Sequence, residues 1–172
     1  IDAENLTITT NQAPATPATG ELNLLSSQIL WPNSLPRLQN LTNAGIIRTV
    51  NAAFLGGSRK SPYYTSNYNE PYQSLVNSGA VFTEGCSIWA NYFENTGLFS
   101  AGMGYGSISL EAQEARLTNG MFMAQGGDIS ITSGNLIVTN HALQTGRRLT
   151  LAVTGLLTDL GTSNINNWAV GQ

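Results

Sequence analysis

From residue 74 onward, short runs that alternate apolar and small polar residues return along the chain. In "SISLEA" (107–112), "DISITS" (128–133) and "RLTLAV" (148–153), the pairs Ile108 and Leu110, Ile129 and Ile131, and Leu149 and Leu151 take alternate positions, with Ser109, Ser130 and Thr150 between them. A period of two is that of a strand with one buried face. "SIWANYF" at 87–93 follows the same pattern, and shorter runs such as "AVF" (80–82), "LFSA" (98–101) and "MFMA" (121–124) intervene. Each repeat therefore holds two or three short strands separated by turns. Ile131 is expected to point inward and Thr132 outward.

A corner phrase accompanies the strands: a leucine-like residue, any residue, then Asn, with Gly two places later. It is complete at Leu41, Asn43 and Gly45, at Leu75, Asn77 and Gly79, and at Phe93, Asn95 and Gly97. It is altered at Leu117 and Asn119, where Gly120 comes early, at Val138 and Asn140, and at Leu157, Asp159 and Gly161. The anchors at 43, 77, 95, 119, 140 and 159 are separated by 34, 18, 24, 21 and 19 residues. A repeat of about twenty residues cannot bury its own inward face and must stack on its neighbours. The expected architecture is all-β: a parallel β-solenoid of about five to six coils of roughly 20 residues, with inserted loops. Ile108, Ile129 and Leu149 would form one internal column, and Leu110, Ile131 and Leu151 the next. Asn43, Asn77, Asn95, Asn119, Asn140 and Asp159 would stack along one corner, because an Asn side chain caps turn backbone and its own backbone tolerates left-handed geometry. An antiparallel sandwich also shows short alternating strands. It gives no reason for one corner phrase to return in every coil, and the only Asn-Gly hairpin signal is Asn119–Gly120.

Two segments interrupt the period, and both are expected to be loops inserted in a single domain spanning 1–172. "NQAPATPATG" (11–20) is rich in Pro, Ala and Thr. "GGSRKSPYYTSNYNEPYQ" (56–73) accounts for the long first spacing and gathers Arg59, Lys60, Tyr63, Tyr64, Tyr68, Glu70 and Tyr72. Tyrosine combines flat apolar area with a hydroxyl, which suits sugar-binding surfaces and protein interfaces. This loop is the candidate contact site, with packing of its rings on the solenoid flank as the competing role.

Composition narrows the function. Seven Lys plus Arg against ten Asp plus Glu give a net charge of -3, with no basic stripe, so nucleic acid is not an expected partner. Cys86 is the only cysteine and His141 the only histidine, which leaves neither an internal disulfide nor a zinc ligand set, and no cofactor or metal is expected. No apolar run reaches the length of a membrane helix, so membrane insertion is not expected. The chain opens on Ile1 without a signal-peptide pattern and reads as an internal fragment or processed product of a longer repeat protein.

Candidates for catalysis are weak. "GMGYG" (102–106) precedes no helix that could aim its N-terminus at a phosphate, and so reads as a turn. Glu111 and Glu114 invite comparison with the paired carboxylates of glycan-cleaving enzymes, but Thr132 and Ala152 are the coil-mates of Glu111, so no carboxylate stacks above it. His141 follows an Asn corner, reads as exposed, and has no Asp or Ser placed beside it for a triad. "NLT" at 5–7 and 40–42 are formal glycosylation sequons, meaningful only in a eukaryotic secretory context. No enzyme activity is expected.

The stretch 74–161, most clearly "SISLEAQEARLTNGMFMAQGG" and "GDISITSGNLIVTNHALQTGRRLTLAV", resembles the coil repeats of large secreted bacterial proteins of the filamentous haemagglutinin and autotransporter-passenger type. That resemblance implies a right-handed parallel β-helix within a long extracellular or cell-surface fibre used in adhesion or display, and it brings no catalytic residues. The expected partners are neighbouring coils or copies of the chain, end to end, together with surface glycans or host and matrix proteins. The alternative is a carbohydrate-binding or carbohydrate-cleaving β-helix, recognisable by a carboxylate or basic cluster on one face. "TSNINNWAVGQ" at the end starts another coil without writing a polar or helical cap.

Overall fold

The computed structural model describes residues 5–8, 10–11, 18–19, 21–24, 39–49, 53–55, 71–102, 104–159 and 164–167, and its regular elements there are all strands. The strands stack in parallel into a β-solenoid of about four turns, fewer than the anchor spacing suggests. The difference lies at the two ends, where short strands extend the sheets without the long uninterrupted strands of the middle coils.

Strands Cys86–Asn95, Ile108–Thr118 and Ile129–Thr139 form the centre of the larger sheet and pair in unbroken register, Ile88 with Leu110 and Leu110 with Ile131. Their burial alternates until one point, where two successive residues stay outside the core: Asn91 and Tyr92, Gln113 and Glu114, Gly134 and Asn135. Since side chains of a straight strand alternate between faces, two outward residues in succession require the strand to bend. Each long strand thus supplies two sides of the coil. Independent short strands show the same division. Ala53–Leu55 and Leu149–Val153 pair only with the first side, whereas Leu157–Asp159 pairs only with the second.

The third side belongs to a separate parallel sheet that includes Ile46–Thr49, Ala80–Thr83, Leu98–Ala101, Met121–Ala124 and Ala142–Thr145. An antiparallel pair, Thr10–Asn11 with Ala18–Thr19, flanks the first expected insertion.

The inward columns fall where the alternation puts them. Ile108, Ile129 and Leu149 are in register, as are Leu110, Ile131 and Leu151. Ile131 is fully buried and Thr132 exposed. On the second side the column runs Leu41, Leu75, Phe93, Ala115, Leu136, and on the third it runs Ile47, Val81, Phe99, Phe122, Leu143. Ala115 above Phe93 makes room for three rings: Phe93, Phe99 and Phe122 meet pairwise at centroid distances of 5.5–5.9 Å. Burying each such side chain contributes about 1.5–3 kcal/mol. Glycine is required where coils touch through their backbones: a Cβ on Gly97 would lie 2.0 Å from the Gly79 carbonyl oxygen.

Candidate functional site: a buried amide ladder and a charged outer face

The corner between the second and third sides carries a line of buried amides. The Gly45 N–H donates to Asn43 Oδ1 at 3.1 Å, Asn43 Nδ2 to Asn77 Oδ1 at 2.7 Å, and Asn77 Nδ2 to Asn95 Oδ1 at 2.7 Å. The same Nδ2 groups also donate to backbone carbonyls, Asn43 to Ala80 at 3.3 Å, Asn77 to Gly79 and Leu98 at 3.4 Å, and Asn95 to Gly97 at 3.0 Å. All three asparagines are buried, so these bonds satisfy groups that water cannot reach.

Only these three of the six corner residues form the ladder. Asn95 is in register with Leu117, Leu117 with Val138, and Val138 with Asp159. Asn119 and Asn140 therefore sit two places further along the corner, outside the core. They adopt left-handed φ values of 54° and 49° and form a separate exposed pair, Asn140 Nδ2 donating to Asn119 Oδ1 at 3.0 Å. The cause is one added residue. Two residues separate Asn95 from Leu98, but three separate Leu117 from Met121 and Val138 from Ala142. Asp159 keeps the inward register of the ladder, yet it is exposed and Leu117 and Val138 stand between it and Asn95.

His141, expected to be exposed, lies inside the solenoid. It is fully buried, with Nε2 2.9 Å from Asn95 Nδ2. Gly120 lies in the coil between them, and lacking a side chain it lets the imidazole reach across. The Asn95 amide must donate here, so Nε2 is the unprotonated acceptor and Nδ1 carries the hydrogen. The ring meets Phe122 edge-on at 5.3 Å and 88°. Burial pushes the imidazole pKa down to about 4, with the Ala142 backbone opposing part of the effect.

Within the expected contact loop, Tyr72 is not a contact residue: it begins the strand Tyr72–Asn77 and is buried in the core, because the strand starts earlier than the local composition suggests. Arg59, Lys60, Tyr63, Tyr64, Tyr68 and Glu70 lie outside the described residues.

The outer face of the second side carries a cluster that local spacing did not bring together. Tyr92 pairs with Glu114 and Glu94 with Arg116 across adjacent strands. The Tyr92 hydroxyl donates to Glu94, Arg116 bridges Glu114 at 2.8 Å, and the guanidinium lies 5.8 Å from the Tyr92 ring centroid. Burial, together with the bond to Glu94, pushes the Tyr92 phenol up to about 12. Glu111 stacks between Trp89 and Thr132, with Ala152 one coil further, so no carboxylate is its register partner. Among the described residues no group of three His, Cys, Asp or Glu side chains converges to hold a metal ion.

Comparison with known proteins gives no match to a family model, a curated protein or a solved structure. The class defined by the fold is a parallel β-solenoid repeat protein with a buried asparagine ladder.

Proposed function

We propose that the chain is a structural and adhesive segment of an extracellular or cell-surface fibre, in which coils stack end to end and loops present contact surface. The observation that carries this reading is the state of the last described coil. Leu151 and Leu157 continue the columns of Ile131 and Leu136, which are fully buried, yet they are 39% and 55% exposed. The strand Leu149–Val153 is also the edge of its sheet. A parallel edge with exposed inward leucines matches another coil of the same outline, covalently continuous or from a second copy. The segment 57–70 would then supply contact to glycans or matrix proteins.

Sedimentation equilibrium of the chain tests the stacking. Mass should rise with concentration, and Leu151→Glu should abolish the rise while leaving the circular dichroism spectrum unchanged. A monomer at every concentration contradicts association between copies. Deleting 57–70 should remove adhesion to the target surface without unfolding the coils.

A carbohydrate-binding solenoid is the second reading, favoured by the aromatic and charged cluster of Tyr92, Glu94, Glu114 and Arg116. Glycan-array binding that is lost in Tyr92→Ala, with the fold intact, would select it.

A further inference from the structure

The amide ladder has a fixed polarity. Each asparagine Nδ2 is tied to backbone carbonyl oxygen, and Asn43 Oδ1 accepts from the Gly45 N–H. Reversing one amide would place oxygen against carbonyl oxygen there, and would force its neighbour to reverse as well. The ladder therefore has to present Nδ2–H at its far end, and Asn95 presents it to His141 Nε2. An imidazole can accept that hydrogen bond and an imidazolium cannot.

We infer that the Asn43–Asn77–Asn95–His141 ladder is an acid-operated latch, which releases the corner at Asn119–Asn140 when His141 takes up a proton. Protonation would set donor against donor at 2.9 Å inside the core, with no room for the ladder to reverse. The groups facing the ring offer no relief. Among the described residues Asn95 and Phe122, which meet the ring, and Gly120 and Ala142 beside it are uncharged, and buried Nδ1 has no side-chain partner that would welcome a second charge-bearing proton. The imidazolium reaches water by swinging out past Gly120, which detaches the exposed Asn119–Asn140 pair from the core. Burial holds the imidazole down from 6.5 to about 4, so the folded corner resists the proton that the open corner accepts. The latch is closed above the unfolded value, and loses stability as the pH falls from 6.5 toward about 4.

Amide hydrogen exchange on the intact chain, as a function of pH, tests this. The reporters are Leu98, Met121 and Ala142, whose N–H groups donate to Gly79, Gly97 and Gly120 at 2.9, 2.8 and 3.0 Å. The references are Ile108 and Ile129 on the first side, bonded to Asp128 and Arg148 at 2.9 Å. Opening linked to one proton lowers protection about tenfold per pH unit. That fall should appear at the reporters between about pH 6 and pH 4, spare the references, and vanish in His141→Gln, whose side-chain oxygen accepts without titrating. Equal pH dependence in wild type and His141→Gln, or a fall shared with the references, overturns the inference. Should His141→Gln fail to fold, the wild-type imidazole decides by NMR. A midpoint well below 6.5, with reporter protection falling over the interval from 6.5 down to that midpoint, supports the latch; titration at 6.5 with reporters unchanged overturns it.

Discussion

Replacing Asn77 with Ala removes the middle rung of the ladder. Its side chain accepts from Asn43 and donates to Asn95, both at 2.7 Å. These two short buried hydrogen bonds are lost, each worth about 0.5–1.5 kcal/mol net, together with the long contacts of Nδ2 to the Gly79 and Leu98 carbonyls at 3.4 Å, which add little. The partners differ in what they keep: Asn43 Nδ2 retains Ala80 O at 3.3 Å, whereas Asn95 Oδ1 loses its donor inside the core. An orphaned buried acceptor adds about 1–3 kcal/mol, so the substitution should cost about 2–6 kcal/mol. The exposed pair supplies the control. Asn140→Gly removes a 3.0 Å amide bond that water replaces, and glycine accepts the 49° φ without strain, so the cost should stay below about 1 kcal/mol. Urea titration followed by circular dichroism measures both, with unchanged slopes confirming that the midpoints report stability. Equal midpoints for the two variants would refute the view that the ladder is a buried structural element distinct from the outer Asn pair.

Four further substitutions and one thiol probe check the packing. Ile131→Ala should cost about 2–5 kcal/mol and Thr132→Ala no more than about 0.5 kcal/mol, read as separate urea midpoints. Gly97→Ala should cost more than about 3 kcal/mol, because its Cβ would lie 2.0 Å from the Gly79 carbonyl oxygen, while Gly104→Ala, with nothing within 4 Å, should leave the thermal midpoint unchanged. The Cys86 thiol is buried and pushed up to about 12 by desolvation, so it should react with a thiol reagent at neutral pH only after unfolding in denaturant.

The inward columns were legible because strand alternation is a local signal: Ile108, Leu110, Ile129 and Ile131 announce their side of the sheet within six-residue runs. The stacking partner is a non-local property and is not written in any single run of residues. The phrase that ends in Asn looks the same at Leu75–Asn77 and at Leu117–Asn119, yet Leu117 occupies the register of Asn95 and not that of Phe93. One extra residue in the turn moved Asn119 and Asn140 outside and brought His141 in. His141 is buried because of Gly120 in the next coil, a neighbour absent from any window around residue 141. The Tyr92, Glu94, Glu114 and Arg116 cluster could have been found, since the offset that pairs Ile88 with Leu110 also pairs Tyr92 with Glu114 and Glu94 with Arg116. Tyr72 reads as loop beside the tyrosines before it, whereas Tyr72 and Leu75 face inward either side of a strand bend.

The distance between the outward positions 87 and 150 tests the in-register parallel stack most directly. Ser87, Ser109, Ser130 and Thr150 are successive register partners, three coil steps from first to last. At about 4.8 Å per step, the backbones of Ser87 and Thr150 should lie about 14 Å apart. Paired spin labels on Ser87→Cys and Thr150→Cys, with Cys86 buried beneath the reagent's reach, should give one narrow short-distance distribution centred near that value. A broad distribution, or a mean beyond about 25 Å where the first sides are not stacked coil on coil, would contradict the solenoid and everything built on it.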